Sequence, residues 1–372
     1  MELWLTNGFK VSLGMFRRVK QRIVLIVSLI ITGLVSVGVV LVAFQPLAPE
    51  RATTTTPGTN QGILSLIQTI PIQNVAGRID HMDIDLQGQR LFVAALGNNS
   101  VFVVDLASGK LTRSITGFSE PQGVVYIPET RSLFVSNGGN GTVDVIDAGS
   151  FSLVRTISFS SDADNMKYDP ISKLVYVSFG VGYGAGLGII NATNDQVITK
   201  IDFGNHPESF QVEQNGTRIF ANVPTLDAIM VADKSTARLT TSWPPDNATA
   251  NFPMALDEKG GRLFVGTWSP PKLLVFESNS GKLVSSVTIS TDADDISYDS
   301  TTGFAYVSCG EGFLNVVGQT SANIYAVVDK LATREGARTS LFVPALHRLF
   351  VVARAGSLPA AILIFEVASG TP

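Results

Sequence analysis

A histidine, a set of carboxylates and an arginine fall at one position of a repeating pattern in this chain, and a second histidine stands close beside it. These are the side chains that ligand recognition, divalent-metal binding or general acid–base chemistry requires. The pattern is anchored on aromatic residues at Phe92, Phe134, Tyr176, Phe220, Phe264, Tyr306 and Phe350. Twelve and eleven residues before each aromatic stand Asp80-His81, Gln122-Gly123, Asp164-Asn165, Glu208-Ser209, Phe252-Pro253, Asp294-Asp295 and Arg338-Thr339. Most are polar or ionisable, and Arg78, Asp162, His206, Asn251, Asp292, Arg334 and Glu335 flank them.

The candidate ligand-binding residues are therefore Asp80, His81, Gln122, Asp164, Asn165, His206, Glu208, Asn251, Asp294, Asp295 and Arg338. Within that set His81, His206, Glu208 and Asp294 are the types that would hold a divalent cation and activate a water. No other cofactor is indicated. Like charges brought together would raise some carboxylate pKa values unless a cation or an arginine compensated them. A second reading stays open, because Asp-Ala-Asp occurs twice, at 162–164 and 292–294. An aspartate at a turn also serves simply to accept backbone N–H bonds and fix the bend.

Several chemistries lack their residues. There is no nucleophile elbow, no His-Glu-x-x-His and no cysteine pair, so nothing nominates a covalent catalyst. Cys309 is the single cysteine, which rules out an internal disulfide and a two-cysteine haem attachment. The glycine-rich stretch 180–188 (GVGYGAGLG) interrupts two strands and opens no helix, so a dinucleotide reading lacks its context. Trp268, before Pro270-Pro271, reads equally as an exposed stacking platform or a loop staple.

The elements that must position these residues follow from the spacing of the aromatics. Successive intervals are 42, 42, 44, 44, 42 and 44 residues. A strand-built period of this length is that of a propeller blade. Short alternating runs such as Val101–Asp105 and Val143–Asp147, separated by Gly/Asn/Ser turns, predict an all-β fold of seven four-stranded blades over residues 63–372. After Phe350 there is room for one further strand, 361–367, so the last blade is a strand short. The alternating run 63–72 (ILSLIQTIPI) is predicted to complete it and close the ring. The starts of the innermost strands would then face one central opening.

Ahead of the repeats lies a basic segment, 1–22, carrying Lys10, Arg17, Arg18, Lys20 and Arg22. An uncharged run, 23–44, follows it. As a helix the run is about 33 Å long, enough to cross a bilayer. The positive cluster would stay in the cytoplasm and leave the remainder outside. The expectation is a membrane-anchored chain with a Pro/Thr-rich linker at 45–62, secreted only if the N-terminal segment is cleaved. Removing the five basic residues and Glu2 of the first 44 positions from the totals of 27 and 31 leaves 22 basic and 30 acidic residues. So acidic an exported part argues against nucleic acid as a partner. An unknown small ligand or an envelope protein is expected instead.

The strands Leu91–Ala94, Val175–Ser178 and Ala305–Ser308 resemble the Tyr-Val-Thr-Asn-type strand of the YVTN/YncE-like seven-bladed propellers. The stretches 77–82 (GRIDHM), 206–210 (HPESF), 251–257 (NFPMALD) and 292–299 (DADDISYD) resemble the exported bacterial and archaeal branch of that group. The resemblance implies a secreted or surface-tethered repeat protein with no settled reaction. The leading expectation is a binding module that works through the polar mouth of its channel. The alternatives are a lactonase-like metal-dependent lyase or hydrolase and a structural cell-surface protein.

Overall fold

The structure, a computed structural model, describes residues 62–368. The expected apolar helix at 23–44 and almost all of the linker lie outside the described residues. Among those described, no helix is long and apolar enough to cross a membrane.

Seven four-stranded antiparallel sheets follow one another along the chain. In the first blade the strands are Met82–Asp85, Arg90–Ala95, Ser100–Asp105 and Lys110–Thr116, in that spatial order from the inside outward. The next five repeat this plan. The seventh is composite: Thr339–Val343, Arg348–Ala353 and Ala361–Val367 come from the C-terminal end, and Leu64–Pro71 pairs antiparallel with Ala361–Val367 as the outermost strand. Both ends of the described chain thus meet in one blade, and no broad open edge is left between first and last repeats.

Burial explains the sequence pattern strand by strand. The aromatic strand of each blade is covered on both faces by its neighbours, and all seven aromatics are at most 1% exposed. Its residues therefore read as an unbroken apolar run. Outer strands such as Lys110–Thr116 and Leu153–Ser158 bury a single side chain each and are otherwise largely polar. Core residues fall into seven clusters, and each joins two consecutive blades. Ile70 and Ile72 sit with Phe350 and Ile362 against Leu91, Val93 and Phe102, which links blade seven to blade one.

At the far end of the innermost strands, acidic residues do architectural work. Asp85, Asp169, Glu213, Asp257 and Asp299 accept backbone N–H bonds from Gly88, Ile171, Arg218, Gly260 and Thr301 at 2.8–3.0 Å. Each fixes the turn into the aromatic strand.

If the borrowed strand closes the ring through apolar contact, Ile70→Asp should cost on the order of 4 kcal/mol by leaving a charge in the joint between blades seven and one. Thr69→Asp, one residue away and exposed, should change stability by less than about 0.5 kcal/mol. Urea unfolding of the two variants checks this, and equal costs would show that the strand is not held by its buried face.

Candidate functional site

Because every innermost strand begins at the same repeat position, the fold carries polar residues from separate blades to one end of the channel. A cavity of ≈ 740 Å3 runs down the axis, and the second members of several pairs, His81, Asn165, Ser209 and Asp295, line it. The first members, with Arg78, stand at its mouth. Asp80, Asp164, Glu208 and Asp294 all act on the Arg78 guanidinium and, led by Asp80, raise its pKa.

The mouth has two halves of different chemistry. In the half built by blades one, six and seven, guanidinium groups meet the acids. Arg78 Nη2 donates to Asp80 Oδ2 at 2.7 Å. Arg338 donates through Nη1 to Asp292 Oδ1 at 2.7 Å and lies 3.0 Å from Asp294 Oδ2 through Nε. His81 is set between Asp80 and Asp295, 3.8 Å from each. Burial disfavours its charged form, yet Asp80, Asp295 and the acids beyond raise its pKa. Burial also pushes the Asp294 carboxyl up to about 7, with Arg338 opposing and Asp80 reinforcing the shift.

In the other half, built by blades three and four, no guanidinium among the described residues is in contact with the acids. His206 Nε2 lies 3.4 Å from Asp164 Oδ2, and Nδ1 lies 3.7 Å from Asp162 Oδ2 and 2.7 Å from the Gly180 carbonyl oxygen. Gly180 adopts φ +88°, and a Cβ there would meet Ala185 at 2.9 Å. The glycine-rich loop thus has a local use, because only glycine lets its carbonyl turn to the imidazole. Burial opposes a charge on His206, but Asp164, then Glu208 and Asp162, outweigh it and raise the pKa to about 9. Burial, reinforced by Asp164, pushes Glu208 up to about 7.

Other candidates serve as stitches between blades. Gln122 donates to Asp162 Oδ1 (3.1 Å) and Asn165 to the Glu208 carbonyl (3.3 Å), while Asp295 accepts from the Ser340 N–H (2.8 Å). Asn251 is fully buried and donates to Asn222 Oδ1 and the Ala228 carbonyl. Trp268 stacks on Phe252 with ring centroids 4.0 Å apart and donates to the Ala293 carbonyl, which makes it a loop staple. The four expected metal ligands do not form one group. His206 and Glu208 come together with Asp164, whereas His81 lies between Asp80 and Asp295 and Asp294 pairs with Arg338 of blade seven.

Two channel residues were not anticipated. Asp83 and Lys167 line the cavity two positions further along their strands, nine residues before the repeat aromatic. Burial lowers the Lys167 pKa against Asp295 and Asp83, and burial raises Asp83 to about 6 although the Tyr126 and Ile84 N–H groups donate to it. The period-2 alternation of a strand, applied to the same offset count, would have found both.

The raised Asp294 pKa makes stability depend on pH. Below the ordinary carboxylate range both folded and unfolded states hold the proton. Between that range and about pH 7 only the folded state does, so this group's contribution falls as pH rises. Asp294→Asn removes that slope. From pH 5 to pH 8 wild type should lose about 2–3 kcal/mol relative to the variant in urea unfolding, and parallel stability curves would contradict the assignment.

No family model and no curated protein matches the chain. Among solved structures it is similar to a chain of Kuenenia stuttgartiensis hydrazine synthase (TM-score 0.70, 14% identity), with 81% of this chain and 99% of that one covered. It is also similar to a chain in the crystal structure of a mitotic checkpoint complex (TM-score 0.69, 14% identity), with 90% and 100% covered. At such identities the shared property is the fold, so the comparisons establish this chain as a seven-bladed β-propeller.

Proposed function

We propose that the chain is a membrane-anchored, extracytoplasmic binding module of YncE-like type that takes a positively charged group at the acidic mouth of its channel. The group would be the ammonium of a small ligand or a basic side chain of an envelope protein. One observation carries this reading. Seven carboxylates (Asp80, Asp162, Asp164, Glu208, Asp292, Asp294, Asp295) converge there against two guanidiniums and two imidazoles. Such an excess is costly to assemble and attracts cations.

The reading also accords with the absence of a covalent nucleophile from the sequence. One similar chain belongs, by its title, to a protein complex, which supports a propeller serving in assembly. The basic residues before the uncharged run 23–44 support an anchored orientation with the propeller outside.

Calorimetric titration of the full chain with spermidine and with a short lysine-rich peptide tests the mouth. Binding should weaken about a hundredfold to ten-thousandfold in the double variant Asp80→Asn/Asp294→Asn, since each charge-assisted contact contributes about 1.5–3 kcal/mol. Unchanged affinity in that variant removes the mouth from the reading. Orientation is tested at Tyr183, which is 96% exposed, while the native Cys309 is fully buried. A membrane-impermeant maleimide should label Tyr183→Cys in intact cells, and labelling only after lysis would place the propeller inside.

A further inference from the structure

Asp164, His206 and Glu208 each present one ligand atom, and the three atoms lie within 4.8 Å of one another. The imidazole supplies the decisive detail. His206 is 8% exposed, and its Nε2 is buried without a hydrogen-bond partner. Nδ1 lies 2.7 Å from the Gly180 carbonyl. A carbonyl can only accept, so Nδ1 carries the proton and donates it there, which in the neutral ring leaves the buried Nε2 lone pair free. Nε2 lies 3.4 Å from Asp164 Oδ2, so this carboxylate would balance either a proton on Nε2 or a metal ion held between the two.

This is the arrangement of a metal-ligating histidine, in which a backbone acceptor fixes the tautomer and orients the ring. In a tetrahedral site with bonds of about 2.1 Å, neighbouring ligand atoms stand about 3.4 Å apart. The Asp164–His206 edge already has that length. Glu208 could close on the same point by side-chain rotation, and among the described residues no guanidinium forms an ion pair with it, since Arg78 pairs with Asp80 and Arg338 with Asp292 and Asp294.

We propose that Asp164, His206 and Glu208 form a three-ligand site for a divalent first-row transition metal of the Zn2+ class, at the blade-three and blade-four side of the mouth. The imidazole distinguishes it from the all-oxygen sites that Ca2+ and Mg2+ prefer. Three protein ligands leave a coordination position open toward the channel for a water or a ligand oxygen. The site uses three groups of the proposed binding mouth, but the test of that reading turns on Asp80 and Asp294 and this one on Asp164, His206 and Glu208, so the two readings can fail separately.

Equilibrium dialysis of the full chain in mild detergent against Zn2+ alone, with metal content measured by mass spectrometry, tests the proposal. One Zn2+ per chain is expected, with a rise in melting temperature that Ca2+ does not give. Asp164→Asn and Glu208→Gln keep the side-chain shape and should weaken binding at least about tenfold, a loss that even an outer-shell partner produces. His206→Gln should do the same, while His81→Gln should leave binding intact. Circular dichroism verifies the fold of each variant, and X-ray absorption should report a single imidazole on the metal. Substoichiometric Zn2+, undiminished binding in His206→Gln and Glu208→Gln, or loss in His81→Gln instead would overturn the assignment, whatever the spermidine titration gives.

Discussion

The antiparallel pairing of Leu64–Pro71 with Ala361–Val367 is the contact on which the rest of the molecule depends. Without it the seventh blade would have three strands, and the apolar joint that unites Ile70 and Ile72 with Leu91 and Phe102 would be open to water. The other six joints are made between blades adjacent in sequence and need no such closure. Only this one turns a stack of sheets into a ring. In a ring, residues 42 to 44 positions apart must converge, whatever their charge.

That convergence separates two uses of acidic residues. At the far turns, Asp85, Asp169 and Asp299 are met by backbone N–H donors, so their negative charge is spent within the turn. At the mouth, Asp294 and Glu208 are buried beside other carboxylates and their pKa values are raised. The same residue type therefore stabilises one end of the strand and strains the other.

How far the sequence foretold this follows from what each signal reports. The aromatics mark strand centres buried on both sides, a demand strong enough to be visible as a period, and the fold was legible from them. The offset of twelve and eleven residues correctly found the strand starts that face the channel. It could not tell Asn165 and Asp295, which hydrogen-bond to backbone groups of the next innermost strand, from Asp164 and Asp294, which face charged side chains of the next blade. That distinction lies in side-chain direction, and adjacent strand residues differ in direction by construction. The grouping of His206 with Asp164 and Glu208, and not with His81, was hidden for a similar reason. Equivalent positions on different blades share a ring but not a neighbour, and only adjacent blades bring ligand atoms within reach of one ion.

The lack of sevenfold symmetry at the mouth completes the argument. Blade five contributes Phe252-Pro253 and blade two contributes Gln122-Gly123, so two of the seven strand starts bring no charge and break the acidic ring into sectors. In one sector Arg78 and Arg338 answer the carboxylates at 2.7–3.0 Å. In the sector of blades three and four the only positive group in contact is an imidazole whose Nδ1 is already committed to Gly180. Its charge can be supplied in two ways, by a proton on Nε2 or by a bound cation. A proton there is favoured by Asp164, whose carboxylate lies 3.4 Å from Nε2 and raises the imidazole pKa. A metal ion would take the place of that proton and draw on three ligand atoms that already lie within 4.8 Å of one another.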